Sequence, residues 1–185
     1  MGEQRKKHNR REHLNDFHLN VAGEYVYDGA LYACQNDDAK QRRSKRAVWG
    51  MAAILTVAVA AGGCIPAPGM QHCFYVLLPY LGEFLGAASV IWALAKLGMD
   101  WGTVREYNYK KSVAVLPVRT AVTAVFSGLG IVCELIFFFV NDHAGQTFFA
   151  LLYVLLKLTA LLSALVLRAE IMQAEWDKLP KKNNS

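Results

Sequence analysis

Three ionisable side chains, Glu83, Glu134 and Lys157, lie inside otherwise apolar runs. A charge at such a depth in a bilayer costs about 2.5–3.5 kcal/mol on insertion scales, so each needs a partner or a task. A carboxylate pair with a lysine can relay protons or pass an ion. The same residues can equally act as a polar clamp that fixes how helices pair. Pro79 precedes Glu83 by four residues and predicts a kink with a freed carbonyl beside that carboxylate. Gly82 and Gly86 form a G-x-x-x-G on the same segment, which permits close approach of a neighbouring helix or of a second copy.

The elements that hold these residues are four apolar stretches, 47–64, 74–97, 118–140 and 147–169. Together they take up 88 of the 185 residues yet hold six of the 35 charged ones. Each can span a bilayer, the first with Ile65 to Ala67 included. The reading is an all-α integral membrane protein with four transmembrane helices in two hairpins, 47–97 and 118–169. A basic segment 1–46, a loop 98–117 and a tail 170–185 complete the chain. The 46 residues before the first span are far longer than a secretory leader region, so it reads as a span and not a signal peptide.

Of the 20 lysines and arginines, 19 fall in or beside the segments 1–46, 98–117 and 170–185; the other is Lys157. The linkers 65–73 and 141–146 carry none. By the positive-inside rule both termini are cytoplasmic, in the cell membrane. The net charge of +5 then reflects topology and attraction to the anionic inner leaflet, not nucleic-acid binding. The layout is similar to that of small bacterial inner-membrane proteins, an analogy that implies no activity.

An internal repeat is expected. Glu24-Tyr25-Val26-Tyr27 precedes the first hairpin and Glu106-Tyr107-Asn108-Tyr109 the second. Phe74–Ser89 aligns with Phe148–Ser163 at an offset of 74, which superposes Glu83 on Lys157. Two hairpins of the same direction make a parallel repeat about an axis along the membrane normal. Two opposite charges at equivalent positions would then face each other. In the N-terminal segment, Leu14, Phe17 and Val21 suggest a short amphipathic helix over 11–22. The aromatic residues around Asp28-Gly29 suggest a β-hairpin.

Cys64 and Cys73 bracket the first outer linker and could form a disulfide there. With His72, Asp142 and His143 they match no zinc signature, so no metal is expected. No nucleophile elbow, zincin, phosphate-loop or dinucleotide motif occurs, so no enzyme activity and no cofactor are expected. Two functions remain. One is a non-catalytic scaffold or subunit of a membrane complex, with a homodimer or a membrane protein as partner. The other is a small ion- or proton-coupled transporter or channel subunit using Glu83, Glu134 and Lys157.

Overall fold

The fold is taken from a computed structural model, which describes residues 17–19, 25–27, 29–98, 101–141 and 147–179. Four long helices dominate. Helix α1 (Asp38–Cys64) starts within the charged stretch, with Asp38 in its first turn against the positive end of the helix dipole. It ends at Ile65, whose extended backbone follows from the proline after it. The short helix α2 (Pro68–His72) places Pro68 in its first turn, where the missing N–H costs nothing. Helix α3 (Phe74–Leu97) stops at Gly98, whose φ of 71° favours a residue without a side chain. After the short helix α4 (Glu106–Lys111), α5 (Leu116–Val140) and α6 (Thr147–Met172) form the second long pair.

These four are long and apolar enough to cross a membrane, so this is a multi-pass membrane protein. Helix α1 begins nine residues before the apolar stretch read from the sequence. The run 38–46 is charged but holds strong helix formers, and a charged helical start meets no penalty in water.

The helices close a ring in which α1 packs on α6, α6 on α5 and α5 on α3, with a lighter contact from α3 back to α1. Helices α3 and α6 therefore face each other across the diagonal, as do α1 and α5. Small residues fill the interior: Ala52, Ala58, Ala87, Ala124, Ala160 and Ala164 are all buried. Many large apolar side chains point outward, among them Leu85, Leu129, Ile136, Leu151 and Leu162. Such an inside-small, outside-large pattern is what close helix packing in lipid requires, since lipid tails solvate leucine as well as protein does. Two apolar layers make up the core. One contains Val48, Ala52, Val90, Leu94, Leu116 and Leu167; the next contains Leu55, Val59 and the other five alanines.

One end of the bundle is tied together by strands. Strand β3 (Leu31–Cys34) lies between β4 (Thr103–Arg105) and β5 (Trp176–Lys178), antiparallel to both. The sheet thus joins the N-terminal segment, the middle loop and the tail. Tyr32 stacks on Tyr109 with ring centroids 4.2 Å apart, and Trp176 contacts both Trp101 and Tyr109.

Three expectations change here. The amphipathic helix over 11–22 is replaced, at residues 17–19, by strand β1 (Phe17–Leu19), and its other residues lie outside those described. Strand β1 pairs antiparallel with β2 (Tyr25–Tyr27), so β2 takes its partner from the strand before it and not from Leu31–Cys34 across Asp28-Gly29, of which Asp28 lies outside the described residues. Leu31–Cys34 instead takes β4 and β5 as partners, which engage its backbone on both sides where a hairpin would engage one. Finally, the two E-Y-x-Y segments do not share a local structure. Tyr25 and Tyr27 are in a strand, whereas Glu106, Tyr107 and Tyr109 are in α4; Glu24 lies outside the described residues. The second copy is helical because Glu106 and Lys110 pair at i,i+4 and its charges complement the helix dipole at both ends.

Candidate functional site

Beyond the alanine layers, toward the linker end, the bundle interior turns polar. Glu83 projects from α3 and Lys157 from α6, both essentially without solvent exposure. Lys157 Nζ donates to Glu83 Oε2 across the diagonal. Glu83 Oε1 accepts from the Ser127 hydroxyl of α5 at 2.7 Å, so each carboxylate oxygen has a donor. The ammonium also stands 4.6 Å from the ring centre of Tyr80 and 5.0 Å from that of Tyr153, within cation–π range. Tyr80 in turn donates to the Val59 carbonyl of α1 at 3.4 Å. All four long helices therefore touch this cluster.

The neighbouring backbone is shaped to receive it. Gly130 of α5 lies against the lysine stem, where an added Cβ would come within 3.5 Å of Lys157 Cε. The G-x-x-x-G pair also faces α5. A Cβ at Gly82 would press on the Phe126 ring, and one at Gly86 would lie 2.5 Å from Thr123 Oγ1 and 3.3 Å from its Cα. The glycine face thus packs on a helix of the same chain. Pro79 is buried inside α3 one turn before Glu83, where it removes the N–H that would bond the Tyr75 carbonyl.

Glu134 does not join the pair. It projects from α5 one layer nearer the linker end and is fully buried. Its Oε1 accepts from the Gly69 N–H of α2 at 3.4 Å, and Oε2 has no hydrogen-bond partner among the described residues. Helix α2 folds back over the bundle there, with Ala67, Pro68 and Gly69 buried. A Cβ at Gly69 would collide with the Glu134 carboxylate, so the close approach requires glycine. Lys157 and Tyr153 lie within electrostatic reach of Glu134, and the buried Tyr153 hydroxyl also lacks a partner among the described residues.

The arrangement is self-neutralising. A lone buried charge is expensive, but here the cation, the carboxylate and a hydroxyl satisfy one another. Glu83 and Lys157 neutralise each other, and each Glu83 oxygen already has a donor. Glu134 Oε2 has none among the described residues, and a carboxylate oxygen without a donor can take a proton or a hydrogen bond.

The remaining candidate residues lie elsewhere. In α4, Lys110 Nζ donates to Glu106 at 2.5 Å and Lys111 Nζ to the Tyr107 hydroxyl at 2.6 Å. These bonds hold both groups below their ordinary pKa values. Cys64 and Cys73 flank α2 and carry free thiols, with Cys64 exposed.

Ser127, Gly130, Tyr80, Tyr153 and Gly69 complete the site but were not singled out by sequence. Two signals point to them. Thr120, Thr123, Ser127, Gly130 and Glu134 recur at helical spacing along one face of α5. A tyrosine precedes two of the three buried charges by about one turn, as Tyr80 does Glu83 and Tyr153 does Lys157. No protein-family model, curated protein or solved structure matches the chain.

Proposed function

We propose that this is a non-catalytic membrane protein, a scaffold or a subunit of a larger membrane complex, with both ends of the chain on the cytoplasmic side. One observation carries the reading. The charges deepest in the bundle are paired with each other, Lys157 with Glu83 and Glu83 with Ser127, which ties α3 to both α6 and α5. Such a clamp fixes the pairing of two hairpins and leaves the sheet end as the face available to a partner. There β3, β4 and β5 combine three separate chain segments into one surface.

A native-nanodisc extract tests the proposal directly. Mass measurement of the extracted particle is expected to show the 20.6 kDa chain with a stoichiometric partner, either another protein or a second copy. A particle holding one chain alone would contradict it.

A second reading, a proton- or ion-coupled transporter subunit, is favoured by the unpartnered Oε2 of Glu134 beneath α2. Reconstituted liposomes distinguish the two. The scaffold passes no protons or ions down an imposed gradient. A flux abolished by Glu134→Gln would favour the transporter.

A further inference from the structure

The sheet end carries a cleft that the buried ion pair does not explain. It opens between the first turns of α1 and the last turn of α6, has a volume of about 230 Å³, and is lined by Asn36, Lys40, Arg43, Ser44, Glu170 and Gln173. Sites for drug-sized ligands run to about 300–1,000 Å³, so this one suits a smaller group.

Its charges are arranged on opposite walls. Buried Ser44 of α1 donates to Glu170 Oε2 at 3.0 Å and ties that carboxylate of α6 across to α1 at the floor of the cleft. Lys40 and Arg43 are three residues apart, and therefore neighbours, on α1. Both are exposed, and among the described residues neither pairs with Glu170 or another carboxylate. Here two cations and one anion line the same space without neutralising each other.

The depth of the cleft is also defined. The apolar run of α1 begins four residues after Arg43, and that of α6 ends immediately before Glu170. At about 1.5 Å per residue, the cleft lies within roughly 6 Å of the apolar boundary, in the headgroup layer. Trp49, one to two turns along α1 from Arg43, is of the type that marks such boundaries.

We propose that this cleft binds the headgroup of a phospholipid bearing a primary amine. The phosphate lies between Lys40, Arg43 and the Asn36 amide, where charge-assisted hydrogen bonds are strongest. The ammonium donates to Glu170 and to the Gln173 side-chain oxygen. A quaternary amine has no N–H to give, and an anionic headgroup meets a carboxylate, so the lining discriminates between headgroups. The inference rests on the chain spanning a membrane. That premise is checked separately, because release of the protein by an alkaline carbonate wash would contradict it whatever lipid the cleft holds.

The test uses the full chain, equilibrated with vesicles of equal phosphatidylethanolamine, phosphatidylcholine and phosphatidylglycerol, with retained lipid read by native mass spectrometry. Phosphatidylethanolamine is expected to exceed each of the others about fivefold, the effect of one charge contact in the headgroup layer. Lys40→Gln and Arg43→Gln, both at exposed positions, each lower its retention about fivefold. Glu170→Gln removes the preference over phosphatidylcholine. Glu175→Gln, at an exposed carboxylate outside the cleft, keeps the preference, which separates a ligand role for Glu170 from a general effect of acidic charge at this end of the bundle. Equal retention of the three lipids, or retention unaffected by Lys40→Gln with Arg43→Gln, overturns the proposal. Stabilisation by soluble glycerophosphoethanolamine without retention of the lipid overturns the assignment to a membrane ligand.

Discussion

Glu83 and Lys157 stand 74 residues apart in the chain and meet at the centre of the bundle, each contributed by the returning helix of its hairpin. Because α3 and α6 are diagonal, the ion pair holds together two helices that scarcely touch otherwise. It therefore acts on the arrangement of all four helices and not on one interface.

The two buried carboxylates should differ in what they contribute. Glu83→Leu strands the Lys157 ammonium, and breaking a buried pair this way costs about 3–5 kcal/mol. Glu134→Leu removes a single 3.4 Å hydrogen bond and leaves no cation bonded to it unpaired, so about 1–2 kcal/mol is expected. Unfolding of both variants in mixed micelles checks the order, and a larger loss for Glu134→Leu would reverse this assignment.

The glycines of α3 should be sensitive to a single methyl group, and Gly128 of α5 should not. Gly86→Ala pushes against Thr123, including its backbone, and should cost about 1–3 kcal/mol. Gly128→Ala meets nothing within 4 Å and replaces a poor helix former, so its melting temperature should match or exceed the parent's. Equal effects at the two positions would show that α3 and α5 are not in close contact at Gly86.

Trp176 links the tail to the middle loop through Trp101 and Tyr109. Trp176→Ala should cost at least about 1 kcal/mol from lost aromatic contacts. It should also make the segment around Thr103–Lys111 a faster protease target. Cleavage at the parent's rate would argue that the sheet does not hold this loop.

A pH effect is expected at α4. The bond from Lys110 holds the Glu106 pKa below its ordinary value, so its contribution is present above the unfolded pKa and is lost as pH falls through the lower, folded one. Lys110→Ala should move the Glu106 titration upward, as followed by carbon NMR of labelled glutamate. No movement would mean that the pair is broken in solution.

Much of this was legible in the sequence because lipid imposes a coarse code. A run such as 74–97 can only be a spanning helix, and α3 has those bounds. The meeting of Glu83 with Lys157 could be anticipated from the offset of 74, since two costly charges at equivalent positions have an evident partner in each other. The sheet end was not legible. Strands of three or four residues carry little periodicity, and the partners of Leu31–Cys34 lie about 70 and 145 residues away, where local turn signals at Asp28-Gly29 mislead. Helix α2 was likewise hidden. Pro66 and Pro68 indicate a stiff turn, but nothing local shows that Gly69 folds back onto Glu134.

The central claim is that Glu83 and Lys157 are a packing clamp, and a double-mutant cycle tests it most directly. Unfolding free energies would be measured in mixed micelles for Glu83→Gln, Lys157→Met and the double variant. Each single change should cost about 3 kcal/mol or more, and the double should recover at least about half of the summed loss, because it leaves no unpaired charge. Strictly additive losses, or three variants as stable as the parent, would contradict the clamp.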